Sequence, residues 1–135
     1  MRRLVYPLMV LSAAGFVASL VVHGAAWLGI EWTWCFFPLH MGIFVVGVPA
    51  ALMTGEPDPP AGGRTFWKHA FRGAPTWMRV MTVVFILYAV VNLTWGMVAA
   101  VLWSRGLLET PPAFGRLFSG HWMAVYAAAW STFYA

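Results

Sequence analysis

Apolar residues fill four long stretches of this chain, and most charged residues lie between those stretches or at their ends. A helix needs about 20 apolar residues to cross the hydrocarbon core of a bilayer. Backbone polar groups in hydrocarbon must be satisfied within the segment, so each crossing is expected to be helical. The pattern predicts a single transmembrane domain over residues 1–135, an all-α, antiparallel four-transmembrane-helix bundle. Its spans are expected at about 4–30, 34–53, 77–104 and 112–135, with the first two forming a tight hairpin.

The longest polar interruption separates the second stretch from the third. Its first part, "GEPDPPAGG", cannot continue a helix because proline lacks a backbone N–H and glycine favours turns. Its second part, "RTFWKHAFR", repeats a basic residue every fourth position. This spacing predicts a short cytoplasmic interfacial helix over about 64–73, lying on the membrane surface or, alternatively, docking a partner. The side chains expected at that surface are Arg64, Lys68, Arg72, Trp67 and Phe71.

Composition supports an integral membrane protein. The 135 residues are 61% hydrophobic and 9% charged, against about 25% charged in soluble domains. The net charge of +4 does not indicate nucleic-acid binding, because the basic residues flank the apolar stretches as juxtamembrane charges do. The expected partners are therefore membrane lipids and other integral membrane subunits or further copies of this chain, and no nucleic acid.

The distribution of Lys and Arg predicts the orientation. Six of these residues flank one side of the predicted bundle and two flank the other, and the excess marks the cytoplasmic side. Both termini and the long loop are thus expected in the cytoplasm, in a bacterial inner (cytoplasmic) membrane. Tryptophans near the ends of the stretches, Trp122 among them, are expected in interfacial belts. The six are Arg2, Arg3, Arg64, Lys68, Arg72 and Arg79, and the two are Arg105 and Arg116.

Small and polar residues recur every three or four positions along each predicted span. Such stripes let membrane helices approach closely and exchange hydrogen bonds, so we interpret them as packing faces. The stripe of the first span consists of Ser12, Gly15, Ser19, His23 and Ala26. The stripe of the second consists of His40, Gly47 and Ala51.

Three histidines are the candidate cofactor-binding residues. His23, His40 and His121 come from three spans and lie at a similar depth, roughly 8–9 Å from the outer ends at 1.5 Å per residue. Ionisable groups at membrane depth usually face the bundle and serve a function. They could ligate haem b, a chlorophyll-type pigment or a transition metal. His23 is then the expected main ligand, with Ser19 one turn away as partner for its second ring nitrogen.

A purely structural role for the same histidines is the alternative. Neutral imidazoles could hydrogen-bond to Ser19, Asn92 or backbone carbonyls and hold the helices in register. The sequence alone does not choose between a ligand role and a packing role.

Enzymatic chemistry is not indicated, because no carboxylate lies within a span and no catalytic motif is present. The same lack of an intramembrane acid argues against a small transporter or channel, the third hypothesis. Cys35 is the single cysteine, which excludes an intramolecular disulfide. The predicted function is a small accessory subunit of an energy-transducing (respiratory or photosynthetic) membrane complex, with structural packing as its main role. The alternative is a cofactor-holding subunit for electron transport or pigment binding.

Overall fold

The computed structural model describes residues 2–54, 70–110 and 114–135, and their regular structure is helical. Three of the helices, α1, α2 with the turn before it, and α3, are long and apolar enough to cross a membrane. The protein is therefore a helical, membrane-spanning type of chain, and each of the four apolar stretches coincides with a helix. The helices are α1 (Arg2–Trp27), α2 (Phe36–Thr54), α3 (Thr76–Ser104) and α4 (Phe114–Tyr134), with a 3₁₀ turn at Thr33–Cys35.

Glycines end α1 and α3 in the same way. Gly29 and Gly106 have φ of 77° and 70°, a conformation that residues with a Cβ rarely adopt. After α1, the N–H of Ile30 donates to the carbonyl of Ala25, and the N–H of Gly29 donates to that of Ala26. After α3, the residues around Gly106 make the equivalent pair of bonds. Both ends are Schellman motifs, which stop the helix and turn the chain back.

Helix α4 lies at the centre of the fold and packs against α1, α3 and α2. Trp122 and Met123 are each 1% exposed, and Ala127 is fully buried. The expected interfacial position of Trp122 is therefore wrong, because this ring lies in the protein core. Helix α4 is absent from the three candidate spans, and it contains Arg116, Ser119, His121, Ser131 and Thr132 within 21 residues. A helix that its neighbours enclose does not need to present an apolar surface to lipid.

The expected tight hairpin between α1 and α2 is not what the structure shows. Helix α2 packs mainly on α4 and makes a much smaller contact with α1. The ring of Tyr126 from α4 occupies the space between them, in contact with Gly15 on α1 and Gly42 on α2. Its hydroxyl donates to the carbonyl of Leu39 at 3.0 Å. The two sequential helices are thus held together through α4.

The small and polar stripe of α1 is buried, which confirms it as a packing face. Ser12 and Ser19 are 0% exposed, and each hydroxyl donates to a carbonyl of its own helix, at 2.7 Å. On α3 and α4, Thr82 and Ser131 are also fully buried and share a hydrogen bond of 2.8 Å. Buried hydroxyls in this fold therefore have partners, as the cost of an unpaired polar group in an apolar interior requires.

The predicted interfacial helix at 64–73 falls mostly outside the described residues, including Arg64, Trp67 and Lys68. Of its described part, Phe71 is 6% exposed and belongs to a small apolar cluster with Ala70, Ala74 and Met78. Arg72 is exposed. Phe71 therefore faces the protein, and Arg72 is free to face a headgroup.

Candidate functional site at the histidine end of the bundle

The structure separates the three candidate histidines into two groups. His23 contacts Ser119 of α4, whereas His40 and His121 contact each other. Ser119 and His121 are two residues apart, which places them about 200° apart around the helix at 3.6 residues per turn. Within residues 2–54, 70–110 and 114–135, no three His, Cys, Asp or Glu side chains form a group that could hold a metal ion. The histidines share a depth but lie on different sides of α4.

His23 is 8% exposed and is the centre of a network that joins three helices. Its Nδ1 lies 2.7 Å from Oγ of Ser119 on α4. Its Nε2 is hydrogen-bonded to the hydroxyl of Tyr88 on α3. The indole Nε1 of Trp27, one turn later on α1, donates to the same Nε2 at 2.9 Å. We call these four residues the His23 network.

The partners determine which nitrogen of His23 carries the proton. An indole N–H can only donate, so Nε2 must accept from Trp27 and also from the Tyr88 hydroxyl. The proton of the neutral ring is then on Nδ1 and is donated to Ser119. The Ser119 hydroxyl in turn donates to the carbonyl of Gly115 at 2.6 Å. Each donor in this network meets an acceptor.

The His23 network accounts for this histidine without a ligand. The sequence offered Ser19 as its partner, but Ser19 bonds within its own helix and Ser119 takes that place. Both ring nitrogens are engaged, so no lone pair is free for a metal or haem iron. The guanidinium of Arg116 lies 4.4 Å from the centroid of the Trp27 ring and covers the network from the helix end. This geometry fits a residue that fixes α1, α3 and α4 in register.

His40 and His121 form the second group, on the side of α4 that faces α2. Their ring centroids are 5.7 Å apart at an interplanar angle of 81°. Phe118 contacts both histidine rings edge to face. Nδ1 of His121 is buried and has no hydrogen-bond partner among the described residues. We call His40, His121, Phe118 and Trp122 the His40 cluster.

The protonation of His40 is also determined by a tryptophan. Trp122 Nε1 donates to Nδ1 of His40 at 3.2 Å. Nδ1 is thus an acceptor, and the proton of the neutral ring lies on Nε2. In the described part of the chain no group forms a hydrogen bond with this Nε2. The atom is also not fully buried. His40 therefore presents an accessible, unpaired N–H within a candidate span.

The hydrogen bonds of both groups do not fit metal or haem ligation as the residues stand. A ligating nitrogen needs a free lone pair, and the described bonds leave none on His23 or on Nε2 of His40. His121 alone has an unengaged nitrogen in a buried position. The haem, pigment and metal hypotheses thus have no ready ligand pair here. The arrangement favours hydrogen bonding through His40.

A second feature is an apolar cleft between α2 and α3, with α4 as its floor. Helices α2 and α3 share at most marginal contact within the described ranges, so the bundle is open on this side. The cleft has a volume of about 400 Å³. We call it the α2–α3 cleft. Its lining comprises Gly47, Ala50, Ala51 and Thr54 of α2, Ala124, Val125, Ala128, Ala129 and Thr132 of α4, Ile86 of α3, and Ala70 with Phe71.

Sequence reasoning missed two residues that organise these features. Ser119 has no distinguishing motif in the sequence, and only the rotation of α4 reveals that it meets His23. Tyr126 has no polar neighbour in sequence that would single it out. A usable signal was present at Gly15 and Gly42, since two glycines in facing spans leave room for one large ring.

Comparison with family models, curated proteins and solved structures gives no match for this chain.

Proposed function

We propose that this protein is a small accessory subunit of a larger membrane complex of the energy-transducing (respiratory or photosynthetic) class, with helix packing as its main role. In this proposal all four helices cross the membrane as an antiparallel bundle. Both termini and the long loop lie in the cytoplasm, as the excess of Lys and Arg on that side favours.

The residue pairs along α4 support the antiparallel arrangement. Toward one end of α4, Ser119 meets His23 and Arg116 meets Asn92. Toward the other end, Ser131 meets Thr82. Residue numbers fall along α1 and α3 as they rise along α4 in these pairs and in the Gly15–Tyr126 contact.

The observation that carries the proposal is the α2–α3 cleft. One wall and the floor present small residues four positions apart, Gly47 with Ala51 on α2 and Ala124 with Ala128 on α4. Small residues at this spacing let a further helix backbone approach closely in lipid. The occupant we propose is one transmembrane helix of a partner subunit, which would close the open side of the bundle. Ala51 is exposed in the isolated chain, although its stripe has the composition of a packing face.

The class of complex is proposed from the His40 cluster. Energy-transducing complexes hold ring-bearing carriers and cofactors inside the membrane, where aromatic and imidazole side chains position them. The His40 cluster places such side chains at membrane depth, next to an accessible N–H. This supports an energy-transducing complex over a membrane complex that holds no such carriers or cofactors.

Filling the cleft is expected to release the partner. Ala51→Phe places a ring in the cleft without disturbing the core, because Ala51 is exposed. Overpacking of about 1–3 kcal/mol predicts about tenfold less partner retained. The measurement is native electrophoresis and mass spectrometry of the tagged protein extracted from its own membrane in a mild detergent.

The matched control is Ala14→Phe, at an exposed alanine of α1 outside the cleft. We expect it to retain the partner as the unchanged protein does. Migration of the unchanged protein as an isolated chain of 15.0 kDa, or equal loss in both variants, would contradict the proposal.

A further inference from the structure

A groove beside the His40 cluster is lined almost entirely by rings. It has a volume of about 380 Å³, within the range of about 300–1,000 Å³ that is usual for small-molecule sites. We call it the aromatic groove, and its lining residues are Phe36, Phe37, His40, Met41, Phe118 and Trp122. Phe37 is 74% exposed and Met41 is 40% exposed, so the groove opens on the surface of a candidate span. An occupant would enter it from the lipid.

One polar group defines what the aromatic groove can recognise. The indole of Trp122 fixes Nδ1 of His40 as an acceptor, so the accessible Nε2 is a donor. A donor without a partner is costly at membrane depth, which favours an occupant that brings an acceptor. The same proton leaves Nε2 without a free lone pair for a metal ion, and an organic cation that has no acceptor atom would leave the N–H unpaired.

The walls select a planar ring. Phe36 and Trp122 pack edge to face with centroids 5.3 Å apart, and Phe118 stacks on Trp122 at 6.5 Å. These contacts hold Phe36 and Phe118 rigid, and a planar occupant can stack on the exposed parts of these two rings or meet their edges. Flexible acyl chains gain less from such walls because they have no ring to align.

We propose that the aromatic groove binds the headgroup of a membrane quinone, with Nε2–H of His40 donating to one quinone carbonyl. A quinone has the required features together, because it is a planar ring with carbonyl acceptors and an apolar tail. The tail would leave the groove past Phe37 into lipid. This inference goes beyond the proposed subunit role and needs only a membrane location.

The test is saturable binding of a radiolabelled short-chain ubiquinone to the full chain in phosphatidylcholine nanodiscs. His40→Phe keeps a ring but removes the donor, and loss of one hydrogen bond predicts about tenfold weaker binding. His40→Gln restores an N–H donor and is expected to recover most of the affinity. Trp122→Phe removes the N–H that keeps Nδ1 of His40 an acceptor, so the imidazole can adopt either tautomer. We expect this variant to bind the quinone several-fold more weakly.

The comparison ligand is the dimethyl ether of the reduced quinone, which has the ring and the tail but no carbonyl. The ether should bind the unchanged protein about as weakly as the quinone binds His40→Phe, because each pair lacks the hydrogen bond between Nε2–H and a carbonyl. Phe37→Ala, at an exposed position, provides a variant that does not threaten folding and should weaken binding several-fold. Circular dichroism establishes that each variant is folded.

Three results would overturn the inference. They are absence of saturable binding, equal affinity of the quinone and its ether, and unchanged affinity in folded His40→Phe. Absence of saturation would mean partition into lipid alone, and equal affinity of the two ligands would mean that His40 does not recognise a quinone carbonyl. Binding is measured on the isolated chain, so its failure would leave the proposed partner helix untouched.

Discussion

Replacing Gly15 with leucine is expected to destabilise the bundle strongly, because Gly15 lies against the ring of Tyr126. A Cβ at Gly15 would overlap the ring of Tyr126, and that ring cannot move away because it is 2% exposed and its hydroxyl is bonded to Leu39. Overpacking in a fixed core costs about 1–3 kcal/mol and sometimes more. Leucine has the higher helix propensity by roughly 0.8 kcal/mol, which offsets part of this cost. Because several atoms of the fixed ring are in the way, we place the overpacking at the upper end of the range and expect a net loss of about 2 kcal/mol. Equilibrium unfolding in mixed detergent micelles measures it.

Gly24 provides the matched control, because it lies on the same helix and has nothing within 4 Å of its potential Cβ. Gly24→Leu should leave the free energy of unfolding unchanged or slightly higher. Adding Tyr126→Ala should make Gly15→Leu less harmful, since the collision partner is then absent. Equal unfolding free energies for the two leucine variants would show that Tyr126 does not occupy this space.

Replacing His23 with alanine is expected to have a comparably large effect. It leaves the N–H of Trp27 and the hydroxyl of Tyr88 without their acceptor. Interhelical hydrogen bonds in membranes average about 0.6 kcal/mol each, and the cavity left by the imidazole adds a further cost. We expect about 2–3 kcal/mol of lost unfolding free energy, measured in the same micelles.

Thr94→Val is the control for this substitution. Thr94 is exposed, and its hydroxyl bonds only within its own helix, so the change should be under about 0.5 kcal/mol. An absorption spectrum of the purified protein in mild detergent separates the two roles of His23. Loss of a haem or pigment band in His23→Ala, with stability retained, would show that His23 is a ligand rather than a packing residue.

The sequence predicted the helices well because their signal is local. Runs of about 20 apolar residues are sufficient to locate them, and the two turns that follow α1 and α3 contain the glycines that such ends require. The buried face of α1 was also predictable, since Ser12, Ser19 and His23 recur at helical spacing and have no role in lipid.

Depth along a helix was predictable, but direction around it was not. The three histidines were expected to converge because they lie at one level, and α4 separates them because Ser119 and His121 face opposite sides. The choice of Ser119 over Ser19 has a physical cause. Both hydroxyls donate to the carbonyl four residues earlier in their own helix, so the difference is one of position: Ser119 lies across the α1–α4 interface, with its Oγ 2.7 Å from Nδ1 of His23.

The hydropathy of the sequence also did not indicate which helix lies at the centre of the bundle. A search for apolar spans favours α1, α2 and α3, whereas α4 has the most buried side chains and the weakest span signal. Arg116, His121 and Ser131 lower its hydropathy because its surroundings are protein. In a small bundle the least lipid-like helix can therefore be the one that organises the others.

The central position of α4 has a consequence for biosynthesis. The helix on which α1, α2 and α3 pack is the last of the four to leave the ribosome. Roughly a hundred residues separate the ends of α1 and α4, which at about 5–20 residues per second is about 5–20 s of translation. Until α4 is made, Nδ1 of His23 lacks Ser119 and the hydroxyl of Thr82 lacks Ser131. Helices α1 and α3 therefore remain without these interhelical partners until α4 has been made.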